Sequence, residues 1–312
     1  MSFAPPALRL RLIFRAEQSV AMPAFPGQTW RGLFGRAYRE LVCATGADQC
    51  AGCILIDHCS YPLLFEEGLS QRLGVDARYT APPRPFVIEP ESIEQREVAA
   101  GDTLTLRLLL IGHAMTMAPY VIAALQRGVR GGFGRRRSRL ELLTVEAEQN
   151  GRYEPLLAAE DNRGIRFTPV SSVTEPPEPP ETIRMVFETP LRLKHQRRLV
   201  GAREFHPTLL INNLQRRLSV LADCYAEPIS GLPPILPPPE GPQPNGTGLR
   251  WKEFTRHSAR QQRDMTFGGL VGAVTLDLRG LQSYWPLLWA GQFFHAGNEA
   301  TFGLGQYRIE CL

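Results

Sequence analysis

Lysine is almost missing from this sequence of 312 residues: Lys194 and Lys252 are its only two among 35 basic residues, and the rest are arginine. A guanidinium-rich surface suits planar, two-pronged contact with phosphate better than ammonium does, although a GC-rich genome gives the same bias. Long apolar runs are missing too. No window approaches the roughly 20 residues of a membrane-spanning helix. The N-terminus, MSFAPPALRLRLIF, alternates apolar and basic residues where a secretion signal would have an apolar core. The expectation is a cytoplasmic protein with no membrane partner. Familiar catalytic signatures are lacking as well: no G-x-x-x-x-G-K-[ST] phosphate loop, no H-E-x-x-H and no G-x-S-x-G elbow. Acidic residues are scattered, with Glu66–Glu67 the one prominent pair before residue 150, so a two-metal carboxylate site is not indicated. The net charge of +4 is too small to argue for any partner by itself.

What is present is a pattern stated twice. Leu8, Leu10 and Leu12 alternate with Arg9 and Arg11 as in a half-buried strand, and Trp30, Leu33, Phe34, Ala37, Tyr38 and Leu41 then recur at helical spacing. Phe86–Glu89 and Leu104–Ile111 read as strands, Pro119 opens a helix that ends near Gly128, and Leu140, Leu142 and Val145 alternate again. Residues 151–181, with their SSVTEPPEPPE stretch, lose the period and read as a Pro/Glu-rich linker. The order then restarts with Ile183–Phe187, a helix carrying Leu210 to Tyr225, strands at Arg250–Phe254 and Leu270–Leu278, a helix near Pro286 and a last strand at Tyr307–Glu310. FGRRRSRLE (Phe133–Glu141) aligns without gaps to FGLGQYRIE (Phe302–Glu310), which supports an internal duplication. The predicted fold is α+β: two tandem ferredoxin-like (RRM-like) βαββαβ domains at 1–150 and 182–312. Such a sheet has one face under helices and another that is free to meet RNA or a partner.

Three clusters carry chemistry. Arg127, Arg130, Arg135, Arg136 and Arg137 surround Gly128, Gly131, Gly132 and Gly134; glycines let a phosphate chain approach backbone N–H groups and arginines neutralise it. The matching turn in the second half, with Gly303 and Gly305, is a weaker candidate for the same contact because it is nearly uncharged. Cys43, Cys50, Cys53 and Cys59, in an insertion at about 43–66, include a C-x-x-C and read as a knuckle for structural Zn²⁺, with His58 as a substitute ligand and an iron–sulfur cluster, free buried thiols or a disulfide or redox pair as alternatives. Finally, WKEFTRHSARQQRDM (Trp251–Met265) packs Lys252, Arg256, His257 and Arg260 together. An imidazole moves protons near neutral pH while the cations hold negative charge developing on phosphorus. His295 is a second imidazole of interest; a solvated loop that binds without chemistry is the competing reading.

WRGLFGRAYRELVCATGADQCAGCILIDHCSYPLLFE (Trp30–Glu66), GGFGRRRSRLEL (Gly131–Leu142), RHSARQQRDMTFGGLVGAV (Arg256–Val274) and TFGLGQYRIE (Thr301–Glu310) together resemble the CRISPR-associated endoribonucleases that process precursor CRISPR RNA, the sixth Cas family of the RAMP superfamily. The resemblance implies binding of CRISPR repeat RNA and metal-independent cleavage to a 2′,3′-cyclic phosphate and a 5′-hydroxyl. It also implies retention of the crRNA and delivery to subunits of an effector complex; a second copy of the chain is a further candidate partner. Two departures stand out. Many members of that family use a histidine on the first helix, where this chain has only Arg31, Arg36 and Arg39, and Asn298 and Glu299 stand where a basic residue often precedes Thr-Phe-Gly. Two non-enzymatic alternatives are a RAMP subunit that binds guide RNA without cutting it and a metal-stabilised protein adaptor.

Overall fold

Strand β1 (Ala7–Ala16) turns Leu8, Leu10, Leu12 and Phe14 into the core and leaves its arginines on the opposite face. The computed structural model that shows this describes residues 3–66, 82–158, 170–238, 248–258 and 263–312, with backbone alone at 157–158, 255–258 and 263–266. After β1 come a short β2 (Val20–Met22), helix α1 (Gly27–Val42) and helix α2 (Ser60–Phe65). Strands β3 (Phe86–Pro90), β4 (Arg96–Val98) and β5 (Thr103–Ile111) follow, then helix α3 (Ala118–Arg130), β6 (Leu140–Gln149) and β7 (Arg152–Ala158). The main sheet runs β3-β5-β1-β6-β7, antiparallel throughout, and β2 pairs with β4 apart from it.

The second half contains β8 (Thr182–Leu191), the hairpin β9 (Lys194–His195) and β10 (Arg198–Leu199), and helix α4 (Pro207–Tyr225). Strands β11 (Gly248–Ser258) and β12 (Arg263–Asp277), helix α5 (Trp285–Phe294) and β13 (Tyr307–Cys311) complete it. Its sheet runs β11-β12-β8-β13. Setting aside the extra β7, both sheets place their four framework strands in the order second, third, first, fourth, all antiparallel, as ferredoxin-like folds do. The chain divides into two compact units, 5–174 with 220–228 and 1–4 with 175–219 and 229–312.

Two expectations need correction. Residues 151–181 are more than a linker: β7 adds a fifth strand, Ser172 N–H donates to Ala7 O at 2.6 Å, and Arg9 N–H donates to Ser172 Oγ at 2.8 Å. The open face of the first sheet is also no bare platform for RNA. Arg9 pairs with Glu89 at 2.9 Å and Glu148 at 3.2 Å, Arg107 with Glu89 at 3.1 Å, Arg11 with Glu146 and Arg15 with Glu141. Strand register sets each arginine beside a glutamate, so the face neutralises itself.

Candidate nucleic-acid interface

Helix α1 buries Trp30, Leu33, Phe34, Ala37 and Tyr38 and turns Arg36 and Arg39 outward. Helix α3 lies close against it because Gly128 has no side chain: a Cβ there would stand 2.6 Å from Leu33 Cδ2 and 3.0 Å from Ala37 Cβ. This contact brings Arg127 beside Arg36. The loop after α3 is pinned by Phe133, whose buried ring lies 4.5 Å from that of Trp30, and by paired backbone bonds between Phe133 and Ser138 at 2.8 and 3.0 Å. With its base fixed, the loop leaves Arg135, Arg136 and Arg137 exposed.

Two adjoining depressions result, of about 800 and 570 Å³, sharing Gly32, Arg36, Glu40 and Arg127. Arg31 and Arg39 line the first; Arg135, Arg137 and the backbone of Gly131, Gly132 and Gly134 line the second. The acidic side chains along them are Glu40 and Asp48. Six guanidiniums against two carboxylates make an arginine trough, the charge pattern of a polyanion site. Arg31 is held unusually. Its guanidinium lies beside Gly35 and over the Phe65 ring at 4.5 Å, and burial pulls its pKa down to about 10. It remains charged at neutral pH, at a cost in solvation that an anion would relieve.

Of the five arginines singled out in sequence, the trough gathers Arg127, Arg135 and Arg137. Arg136 turns to Glu97 at 2.7 Å, and Arg130 is exposed on the last turn of α3 without lining either depression. Gly303 and Gly305 are buried, and Gly303 O accepts from Thr189 Oγ1 at 2.7 Å, so that turn is spent on packing. The polar run of the second half is divided by its own strand. Lys252 pairs with Gly269, Arg256 with Met265 and His257 with Asp264, all in one unbroken register. Successive strand positions alternate between faces, so His257 falls on the face opposite Lys252 and Arg256. Arg260 lies outside the described residues. Among the described residues no imidazole lines either depression. His295 is fully buried and donates Nδ1–H to Leu304 O at 3.1 Å, and His206 caps α4 by accepting from Thr208 N–H at 3.2 Å.

Cys43, Cys50, Cys53, His58 and Cys59 line one cavity of about 450 Å³. Among the described residues no three His, Cys, Asp or Glu side chains stand close enough together to share an ion.

Sequence reasoning saw Arg31, Arg36 and Arg39 only as an absence of histidine. It missed the β9–β10 hairpin altogether. Lys194, His195, Gln196, Arg197 and Arg198 are all exposed there, around a two-residue turn with φ of +49° at Gln196 and +67° at Arg197. The available signal was the charge run itself, KHQRR.

Comparison with known proteins adds family and fold. Residues 4–170 match a family defined as an N-terminal domain, and residues 185–307 match the family described as CRISPR-associated endoribonuclease Cas6. An uncharacterised protein of Archaeoglobus fulgidus is 24% identical over 308 residues, 97% of this chain and 96% of that protein. A solved Cas6 product complex superimposes with a TM-score of 0.53 at 17% identity, covering 98% of this chain and 100% of that one. The Cas6-containing chain of a partial Cas6-RT-Cas1–Cas2 complex gives 0.55 at 12% identity, covering 98% of this chain and 46% of that one.

Proposed function

We propose that this chain, whose residues 185–307 match the family of CRISPR-associated endoribonucleases Cas6, is a Cas6-type protein that holds CRISPR repeat RNA along the arginine trough of its first half, cuts it and keeps the product. The observation that carries this reading is the trough itself: six guanidiniums and a glycine-lined backbone with Glu40 and Asp48 as the acidic side chains along it. The chemistry that suits such a site is attack by a ribose 2′-hydroxyl on its own phosphodiester. The nucleophile belongs to the substrate, so the protein's task is to align it, take one proton, return one to the departing 5′-oxygen and hold the extra negative charge on phosphorus. Guanidiniums perform the last of these tasks without an ion. His257 is the residue proposed for proton transfer, and Lys252, Arg256 and Arg260 are the cations proposed from the same run.

The test is incubation with the repeat RNA of the adjoining array in excess EDTA, followed by end-group analysis. Fragments ending in 2′,3′-cyclic phosphate and 5′-hydroxyl are expected, and His257→Ala should slow single-turnover cleavage by roughly 10²-fold. Full cleavage by that variant removes His257 from the role. A second reading, a RAMP subunit that binds guide RNA without cutting it, is favoured by the helix without histidine and by the register that parts His257 from Lys252. Bound, intact RNA would establish it. In either case the partners proposed are crRNA and subunits of a CRISPR complex, since the related structures are a product complex and an assembly with Cas1 and Cas2. A homodimer is the remaining proposal, read by sedimentation. Among the described residues no helix is long and apolar enough to cross a membrane.

A further inference from the structure

We propose that the segment joining α1 to α2 is a structural zinc site with Cys43, Cys50, Cys53 and Cys59 as its four ligands. Residues 43–59 contain no buried side chain. Six of them are partly buried: Cys43, Ala47, Cys50, Cys53, Ile56 and Cys59. All four cysteines of the segment are therefore among the few groups that turn inward, while the large apolar side chains Ile54 and Leu55 are 88% and 40% exposed. A loop that sends all four thiols inward and leaves Ile54 and Leu55 in solvent is not built around a hydrophobic core. The four thiols line one cavity, and none is in a disulfide.

The backbone is already bent for coordination. Cys53 N–H donates to Cys50 O at 3.1 Å around Gly52, whose φ is +79°, and Ile56 N–H donates to Cys53 O at 3.1 Å. This is the tight turn that lets both sulfurs of a C-x-x-C face one ion. The outer pair is fixed by helices: Cys43 N–H closes α1 on Arg39 O at 2.9 Å, and Cys59 is the N-cap of α2. Thr45 Oγ1 stands 3.9 Å from Cys43 Sγ and 3.5 Å from Cys53 Sγ, so a single hydroxyl spans the helix end and the turn. The thiols surround the cavity without converging, which means that binding must draw the Cys50–Cys53 turn inward toward the helix ends. Folding of the loop and metal binding are then one process. Four soft sulfurs in a tetrahedral arrangement select Zn²⁺ among divalent ions, and with all positions filled no water is activated. The thiol protons leave to solvent as the ion enters.

This site stands whether or not the chain cuts RNA, and its test reads metal directly. The full chain, purified under reducing conditions, should carry about one zinc per molecule, lost on Cys50→Ser with Cys53→Ser and kept on Cys224→Ser or Cys311→Ser. In the unaltered protein, thiol titration should find exposed Cys311 reacting fast, with Cys43, Cys50, Cys53 and Cys59 joining it only after a strong chelator is added. That arm, and the visible bands of tetrahedral thiolate-bound cobalt after exchange, decide the matter even if the serine variants do not fold. Metal-free protein whose loop thiols react at once, with no cobalt bands, overturns the site. Iron with equimolar sulfide overturns zinc in favour of a cluster.

Discussion

The two glycine loops occupy the same place in the two halves, between the second helix and the last strand, yet they are used in opposite ways. In the first, Phe133 and Ser138 are buried and Arg135, Arg136 and Arg137 stand in solvent. In the second, Gly303, Leu304 and Gly305 are all buried, Gly305 N–H donates to Pro190 O at 3.1 Å and Ala296 N–H donates to Gly305 O at 2.9 Å. The leading helices differ in the same sense. Burial pulls Arg31 of α1 and Arg217 of α4 each down to about 10. Arg31 opens onto the trough, whereas Arg217 is sealed and donates Nε–H to Phe294 O at 3.0 Å. One half keeps the charge of its loop and leading helix available, and the other spends the matching loop on its own packing. Glycine content does not distinguish a binding loop from a structural one; the arginines that remain solvent-facing do.

The largest effect that can break this comparison is Gly305→Ala. A Cβ there would overlap the Ala296 carbonyl, and φ is already +74°. The expected loss exceeds about 4 kcal/mol, the range reserved for severe core disruption, read as the urea midpoint of the second half; an unshifted midpoint would show that the loop is not a packing element. Next is the pair Arg127→Ala with Arg135→Ala. Two phosphate contacts removed should flatten the slope of log affinity against log salt by about 1.4 for single-stranded repeat RNA. A slope left intact moves the phosphate path away from α1.

Arg31→Met sharpens the contrast from the other side. Among the described residues no carboxylate stands within ion-pair distance of this largely buried guanidinium and Glu66 offsets its burial only in part, so its removal should raise stability by about 1–3 kcal/mol while weakening RNA binding. The sign with pH follows. The folded-state pKa lies below the ordinary arginine value, so above about pH 10 the folded chain gives up a proton that the unfolded chain keeps, and stability rises with pH through that window. At neutral pH the burden is present in full. The difference between wild type and Arg31→Met, measured by thermal melting, should therefore narrow above pH 10, with Arg217 common to both chains.

The strand and helix order was legible because periods of two and 3.6 are hard to confuse over ten residues, as in β1 and α4. β7 was not: it follows the Asn150–Gly151 turn, contains Pro155, and pairs with β6 across an irregularity at Val145/Glu146. The β9–β10 turn was invisible for a related reason, since Gln196 and Arg197 adopt positive φ without the glycine or asparagine that usually announces it. The trough was half legible. Arg127, Arg135 and Arg137 showed as a charged glycine turn, but their meeting with Arg36 depends on how closely Gly128 lets two helices approach. The self-neutralised sheet face was hidden in register, since nothing in the order of residues says that Arg9 will stand beside both Glu89 and Glu148.

The smallest effect separates the two loops most cleanly. Gly134 has φ of +67°, close to that of Gly305, but the nearest atom to a Cβ there is Ala21 O at 3.9 Å. Gly134→Ala therefore meets only the intrinsic penalty of a left-handed backbone, roughly 1–2 kcal/mol, against the steric collision added in the second half. Its unfolding midpoint should fall slightly. Its RNA affinity should fall only as far as the added methyl obstructs the backbone of the trough, where Gly134 is a lining residue. Salt dependence should be unchanged, because no charge has been removed. A loss of stability as large as that of Gly305→Ala would mean that the first loop is also a packing element. The available charge of the first half would then have to be sought on α1 alone.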